Sequence, residues 1–414
     1  MEMDSQENTT RKSILFVDDE PKVLNGLERM LRPMRNVWTM SFAESSQKAL
    51  EILKDSHFDV VVTDIRMPVM NGLQLLSEVK RLYPDTVRII LSGESDRELT
   101  MKAVNVSHQF LNKPCDTEIL KAAISRIGDL STLLQKDSIK AMVSRVDSLP
   151  SLPSLYVEIM RELQSNDSSI RKIGDIISRD LAMTAKILQL VNSSYFSLPR
   201  HISSPEQAVF LLGLDTIKSL VLSIQVFSQF KLKNMPVDYL KRLWDHSMLT
   251  AASSKKIATQ ERQDQVVIDN SFMAGLLHDS GKLVMASCFS DRYAEVVSMA
   301  EGSRLLTEKE RELFDVTHAE AGAYLMGLWG LPYPIIEAIA FHHSPGRANT
   351  KQFTPLTAVY IANILEGQKA EYFTDRSQLA VDHEYMAAMQ LKAAYPFWDM
   401  PEPDRLKEAS AHEQ

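Results

Sequence analysis

The chain is poor in cysteine: Cys115 and Cys288 are the only two in 414 residues, and they lie far apart. That argues against a disulfide framework and points to a reducing, cytoplasmic setting. Long apolar runs are also missing. The most apolar later stretch, SLVLSIQVF at 219–227, is too short to span a bilayer. The polar start, MEMDSQENTTRKS, lacks the apolar core of a secretion signal. There is no long tract of Lys and Arg, no internal repeat and no helix-turn-helix signature, and the net charge is -8. Nothing here drives the chain electrostatically towards nucleic acid or an anionic membrane.

What remains is 44% hydrophobic and 24% charged, a balance expected of a globular chain of two or three domains. Two rhythms divide it. Up to about residue 125, β-rich runs alternate with amphipathic stretches. The runs are ILFV (14–17), VVVT (60–63), RIIL (88–91), a weaker one in HQFLNKP (108–114), and WTMSF (38–42) as an edge strand. LNGLERML (24–31) and LQLLSEVKRL (73–82) carry the helical spacing between them. Alternation of this kind predicts a parallel sheet covered by helices on both faces. From Asp116 to about Val146 the pattern is helical and charged, with apolar positions at Ile127, Leu130, Leu134, Ile139, Met142 and Val146. Such a helix serves either as a linker or as a pairing surface for a second copy. SLPSLPSL (148–155) breaks it, and almost everything afterwards reads as helix, including one around 354–366 and a loose acidic end.

Ligands of an open parallel sheet bind beyond the carboxyl ends of its strands. The polar residues expected there are Asp18, Asp19, Asp64, Ser92 and Lys113. Each alone has a plain explanation, as a helix-end carboxylate, an N-cap or a surface turn. Together they make an assembly suited to Mg²⁺ and to phosphoryl transfer onto a carboxylate. The motifs ILFVDDE, VVTDIRMPVMNG, IILSGES and FLNKP closely resemble a response-regulator receiver domain over residues 12–130. The resemblance implies a flavodoxin-like five-stranded sheet of order 2-1-3-4-5. It implies a phosphoacceptor at Asp64, and Mg²⁺ bound by Asp18, Asp19, Asp64 and the Arg66 carbonyl. Ser92, Phe110 and Lys113 would form the switch, and a sensor histidine kinase or phosphotransfer protein would be the donor.

The helical half gathers histidines in LWDHS (243–247), LLHDSGKL (276–283), THAEAG (317–322) and FHHSP (341–345). Histidine and carboxylate suit Zn, Fe or Mn, although a lone buried histidine usually hydrogen-bonds a carbonyl. These motifs resemble the HD superfamily of metal-dependent phosphohydrolases. The fuller match, with LPSLPSL and ISRDLAMTAKILQLVNSSYFS, is to its output-domain branch, HDOD, over residues 148–345. That leaves 131–147 as a helical linker and 346–414 as C-terminal helices and tail. The resemblance implies a degenerate site at His246, His278, Asp279, Lys282, His318, His342, His343 and Asn363, with no catalytic residue in the output domain. Two departures support degeneracy. SPGRAN follows His342-His343 where cyclic-dinucleotide phosphodiesterases have GYP, and Asn363 stands where an aspartate ligand is expected. Glu366 on the same helical face is a candidate substitute, and His246, His278 and Asp279 could still hold one divalent ion weakly. The expected function is therefore phosphorylation-dependent signalling through protein–protein contact, with a second copy or another signalling protein as partner. The alternative is a phosphohydrolase gated by the receiver.

Overall fold

The computed structural model describes most of residues 11–92, 106–125, 153–230, 235–300, 305–369 and 381–391. The expected linker helix at 131–147 and the acidic end beyond 391 lie outside the described residues, as does the side chain of Phe110. The chain forms two compact units.

In the first unit the apolar runs form β1 (Lys12–Val17), β2 (Trp38–Ala43), β3 (Val60–Asp64), β4 (Val87–Ser92) and β5 (Gln109–Asn112). All pairings are parallel, in the order β2-β1-β3-β4-β5. Ile14, Leu15, Phe16, Val60, Val61 and Val62 are all buried, so these strands have core on both faces. β2 lies at one edge and is partly exposed along its middle, as its mixed sequence predicts. Helices α1 (Pro21–Met30), α2 (Ser46–Asp55) and α3 (Gly72–Leu82) alternate with the strands. Pro21 opens α1, where its missing N–H costs nothing. Ser45 caps α2, and Asn71 with Gln74 forms a capping box on α3. A Cβ at Gly72 would overlap the Asp64 carbonyl oxygen. Glycine there lets the first turn of α3 close against the end of β3.

The second unit is all helical, so a parallel sheet followed by an all-α domain is what the two rhythms predicted. Its helices are α4 (Ser154–Leu163), α5 (Ile170–Ser178), α6 (Leu181–Val191), α7 (Pro205–Leu212), α8 (Leu214–Gln229), α9 (Tyr239–Gln260) and α10 (Gln265–Leu277). There follow α11 (Ser280–Cys288), α12 (Ser290–Ala300), α13 (Leu305–Phe314), α14 (His318–Leu328), α15 (Tyr333–Phe341), α16 (Pro355–Lys369) and α17 (His383–Ala388). α10 packs against α8, α9, α15 and α16, and every residue from Ser271 to Leu277 is buried. A helix surrounded in this way is apolar all round rather than along one stripe. Packing does not stop at residue 345, because α16 lies against α9, α10 and α15.

The stretch AGLLHDSGKL reads as one helix but is a break between two. α10 ends at Leu277 and α11 begins at Ser280, with His278 and Asp279 at the junction. The physical reason lies just beyond it. A Cβ on Gly281 would overlap the His318 carbonyl oxygen and stand 2.6 Å from the Gly322 nitrogen. Two glycines thus let the backbones of α11 and α14 touch, and the junction is pressed onto the start of α14.

Candidate functional site

Two groups of polar side chains are built into these frames. The first sits at the carboxyl ends of β1, β3, β4 and β5. Ligand atoms of Asp18, Asp19 and Asp64 lie within 4.8 Å of one another. Lys113 Nζ bridges two of them, 2.8 Å from Asp18 Oδ2 and 2.8 Å from Asp64 Oδ1. The Lys113 N–H donates to the Ser92 carbonyl at 2.8 Å, which ties the end of β5 to the end of β4. The Ser92 hydroxyl is buried and has no hydrogen-bond partner. Burial pushes the Asp64 carboxyl above its ordinary pKa, and Lys113 only partly offsets this. Arg66 and Val69 lie in the loop between β3 and α3. Val69 is exposed with φ 67°, a left-handed conformation that a β-branched residue rarely adopts. Three carboxylates gathered around one lysine fit a hard divalent cation such as Mg²⁺.

The second group surrounds Asp279. It has two halves that share this residue: His246, His278 and Asp279, and Asp279, His318, His342 and His343. Hydrogen bonds fix the rings. His278 Nδ1 donates to the Gly275 carbonyl at 2.8 Å, and His342 Nδ1 donates to the Ile339 carbonyl at 2.8 Å. A carbonyl can only accept, so Nδ1 carries a proton in each ring and Nε2 faces inward, as a bare lone pair in His342, which burial keeps neutral. The Nε2 atoms of His278 and His342 lie 3.4 Å and 3.7 Å from the Asp279 oxygens. His342 Nε2 and Asp279 Oδ1 are buried without a hydrogen-bond partner. Acceptors facing acceptors need a cation between them, and this nitrogen–oxygen donor set suits Zn, Fe or Mn. Lys282 Nζ, 2.7 Å from Asp279 Oδ2, supplies one positive charge. Burial alone would raise the Asp279 carboxyl, yet Lys282 and the histidines hold it well below its ordinary value.

Asn363, on α16, does reach this centre. Its Oδ1 is 3.0 Å from His246 Nε2, which is also 3.2 Å from His278 Nε2. The Asn363 oxygen can only accept, so His246 Nε2 carries a proton. Glu366 instead accepts from Ser253 Oγ at 2.6 Å and belongs to neither half. Glu310 and Tyr293 were not among the residues singled out from sequence. Glu310 is buried against His318, and Tyr293 Oη donates to it at 2.8 Å.

The buried rings make stability depend on pH. Burial lowers His342 to about 4 and His246 to about 3. A depressed folded pKa gives stability that is full above the unfolded value of roughly 6.5 and is lost as pH falls towards the folded one. His318 shifts the other way: burial opposes its charge, but Glu310 and Asp279 raise it, so its contribution fades only above roughly pH 6.5. In metal-free protein the helical domain should therefore lose about 2 kcal/mol between pH 7 and pH 5 from His342 alone. His246, with its side chain 20% exposed, adds to the loss. Urea midpoints of the helical domain that match at the two pH values would contradict this.

A parallel sheet with acidic strand ends and a bridging lysine, followed by a helical domain around a histidine–aspartate centre, defines a two-domain class. The comparisons say which. Residues 14–125 match the response regulator receiver domain and residues 149–345 match the HDOD domain, so the chain carries a receiver domain followed by an HDOD domain. An uncharacterized protein of Treponema pallidum (strain Nichols) is 29% identical over 60% of this chain and 48% of its own length. The autoinducer 1 sensor kinase/phosphatase LuxN of Vibrio campbellii is 37% identical over 23% of this chain and 11% of its own. The transcriptional regulatory protein ZraR of Escherichia coli (strain K12) is 32% identical over 27% of this chain and 25% of its own. The chain thus spans half or less of these curated relatives. An HDOD domain protein of unknown function from Geobacter sulfurreducens superposes with a TM-score of 0.52 at 25% identity, covering 69% of this chain and 95% of that one. Among the described residues no helix is long and apolar enough to cross a membrane.

Proposed function

We propose that Asp64 accepts a phosphoryl group from a sensor histidine kinase or a phosphotransfer protein, and that the HDOD domain passes the signal on by protein–protein contact. The observation that carries this is the Lys113 ammonium held at 2.8 Å from both Asp18 and Asp64, beside the unpartnered Ser92 hydroxyl. An Asp64 oxygen forms the new bond to phosphorus as the donor's bond breaks and the leaving group takes the electron pair. Asp18, Asp19, Asp64 and the Arg66 carbonyl would hold Mg²⁺, which neutralises charge on the phosphoryl oxygens. Lys113 then pairs with one phosphoryl oxygen and Ser92 donates to another. Lys113 exchanges its carboxylate pairs for a new one and the unpartnered Ser92 hydroxyl gains its first, and that change is the switch, with Phe110 on β5 as its aromatic member. Labelling by a small phosphodonor in Mg²⁺, mapped to the peptide containing Asp64, tests the reading. A label on another residue would refute it.

Asp279 and its surrounding histidines would hold a divalent ion as a structural element of the helical domain. The first half of this centre is weakened by Asn363, which brings no charge, and by the His246 proton that a metal must displace. The complete histidine set favours a second reading, a phosphohydrolase acting on a cyclic dinucleotide. Turnover with Mn²⁺ that vanishes in His278→Ala would establish that instead.

A further inference from the structure

We infer that Glu310 is a positioning residue that makes the half of the centre formed by Asp279, His318, His342 and His343 the tighter ion site. This rests on the reading that the Asp279 centre holds a divalent ion. Glu310 is fully buried near the middle of α13, eight residues before α14 begins. Its Oε2 accepts the His318 backbone N–H at 2.9 Å and His318 Nδ1 lies 2.8 Å away. Its Oε1 accepts from Tyr293 Oη at 2.8 Å. The carboxylate is thus gripped from α12 and from α14, and it has no freedom to turn away.

A carboxylate can only accept, so His318 Nδ1 carries a proton. Nε2 is left as the metal-facing atom, 3.0 Å from His343 Nε2 and 3.3 Å from Asp279 Oδ1. A carboxylate behind a histidine also makes the opposite nitrogen a stronger donor. The backbone bond adds a second constraint, because it fixes where α14 starts and therefore where His318 sits. The other half has no counterpart. Behind His278 stands a neutral carbonyl in place of a carboxylate, and Asn363 holds a proton on the His246 atom that would have to ligate.

The test uses the full chain, stripped with chelator and titrated with Mn²⁺ alone, with free ion followed by electron paramagnetic resonance. Wild type should show one tight site per chain. Glu310→Gln should weaken it roughly 10- to 100-fold, whereas Glu366→Gln, a buried carboxylate that belongs to neither half, should leave it unchanged. Long-range proton–nitrogen NMR of metal-free wild type supplies a readout that does not depend on any variant folding. It should find His318 protonated on Nδ1. Equal Mn²⁺ affinity in Glu310→Gln, or a proton confined to His318 Nε2, overturns the inference while leaving the metal reading intact. Wild-type Mn²⁺ binding that disappears entirely in Asp64→Asn, and so belongs to the receiver alone, removes the metal reading of the Asp279 centre, and the role of Glu310 falls with it.

Discussion

Replacing Asp64 with asparagine should reduce phosphoryl labelling to background. The amide lacks the nucleophilic oxygen that forms the bond, and one of three converging carboxylates is lost as a cation ligand. The fold should survive. Burial already disfavours the ionised Asp64 side chain, and Lys113 keeps its 2.8 Å partner in Asp18. The loss can therefore be assigned to chemistry if intact mass and circular dichroism are recorded on the same sample. Wild-type labelling of Asp64→Asn would move the acceptor to another residue and dissolve the proposed switch.

Gly281→Ala should destabilise the helical domain by about 3 kcal/mol, at the upper end of ordinary overpacking. The added methyl would overlap backbone, the His318 carbonyl and the Gly322 nitrogen, so no side chain can rotate out of its way. Relief requires α11 and α14 to part, which separates Asp279 from His318. Gly26→Ala is the matched control, because nothing lies within 4 Å of the added carbon. In a helix interior that change is neutral or mildly stabilising. Urea unfolding of both variants against wild type decides the matter. A Gly281→Ala midpoint equal to wild type would show that the two backbones do not touch as described.

Much of the first unit was legible because its signals are local. Each strand is a short apolar run ending in a polar residue, and the sheet delivers those ends to one edge; Asp18, Asp64, Ser92 and Lys113 could be named without coordinates. The histidines were legible for the same reason, as short motifs. Three things were not. The break at His278-Asp279 has no proline, and its cap-type residue, Asp279, makes no side-chain cap hydrogen bond; the break is enforced by α14, distant in sequence. Gly281 and Gly322 look like ordinary glycines until the helices cross. Glu310 is one of 54 acidic residues, and its link to His318 passes through a turn whose geometry no periodicity encodes. Asn363 was picked out by motif position alone. Its 3.0 Å approach to His246 depends on α16 packing against α9.

Hydrogen exchange on the full chain tests most directly whether the helical domain reads the state of Asp64. Exchange in residues 153–391 would be compared in Mg²⁺ alone and in Mg²⁺ with beryllofluoride, a phosphoryl mimic. The account predicts altered exchange within these helices in wild type and none in Asp64→Asn. A response confined to residues 11–125 would show that the receiver switches without an output in the HDOD domain, and would contradict the account.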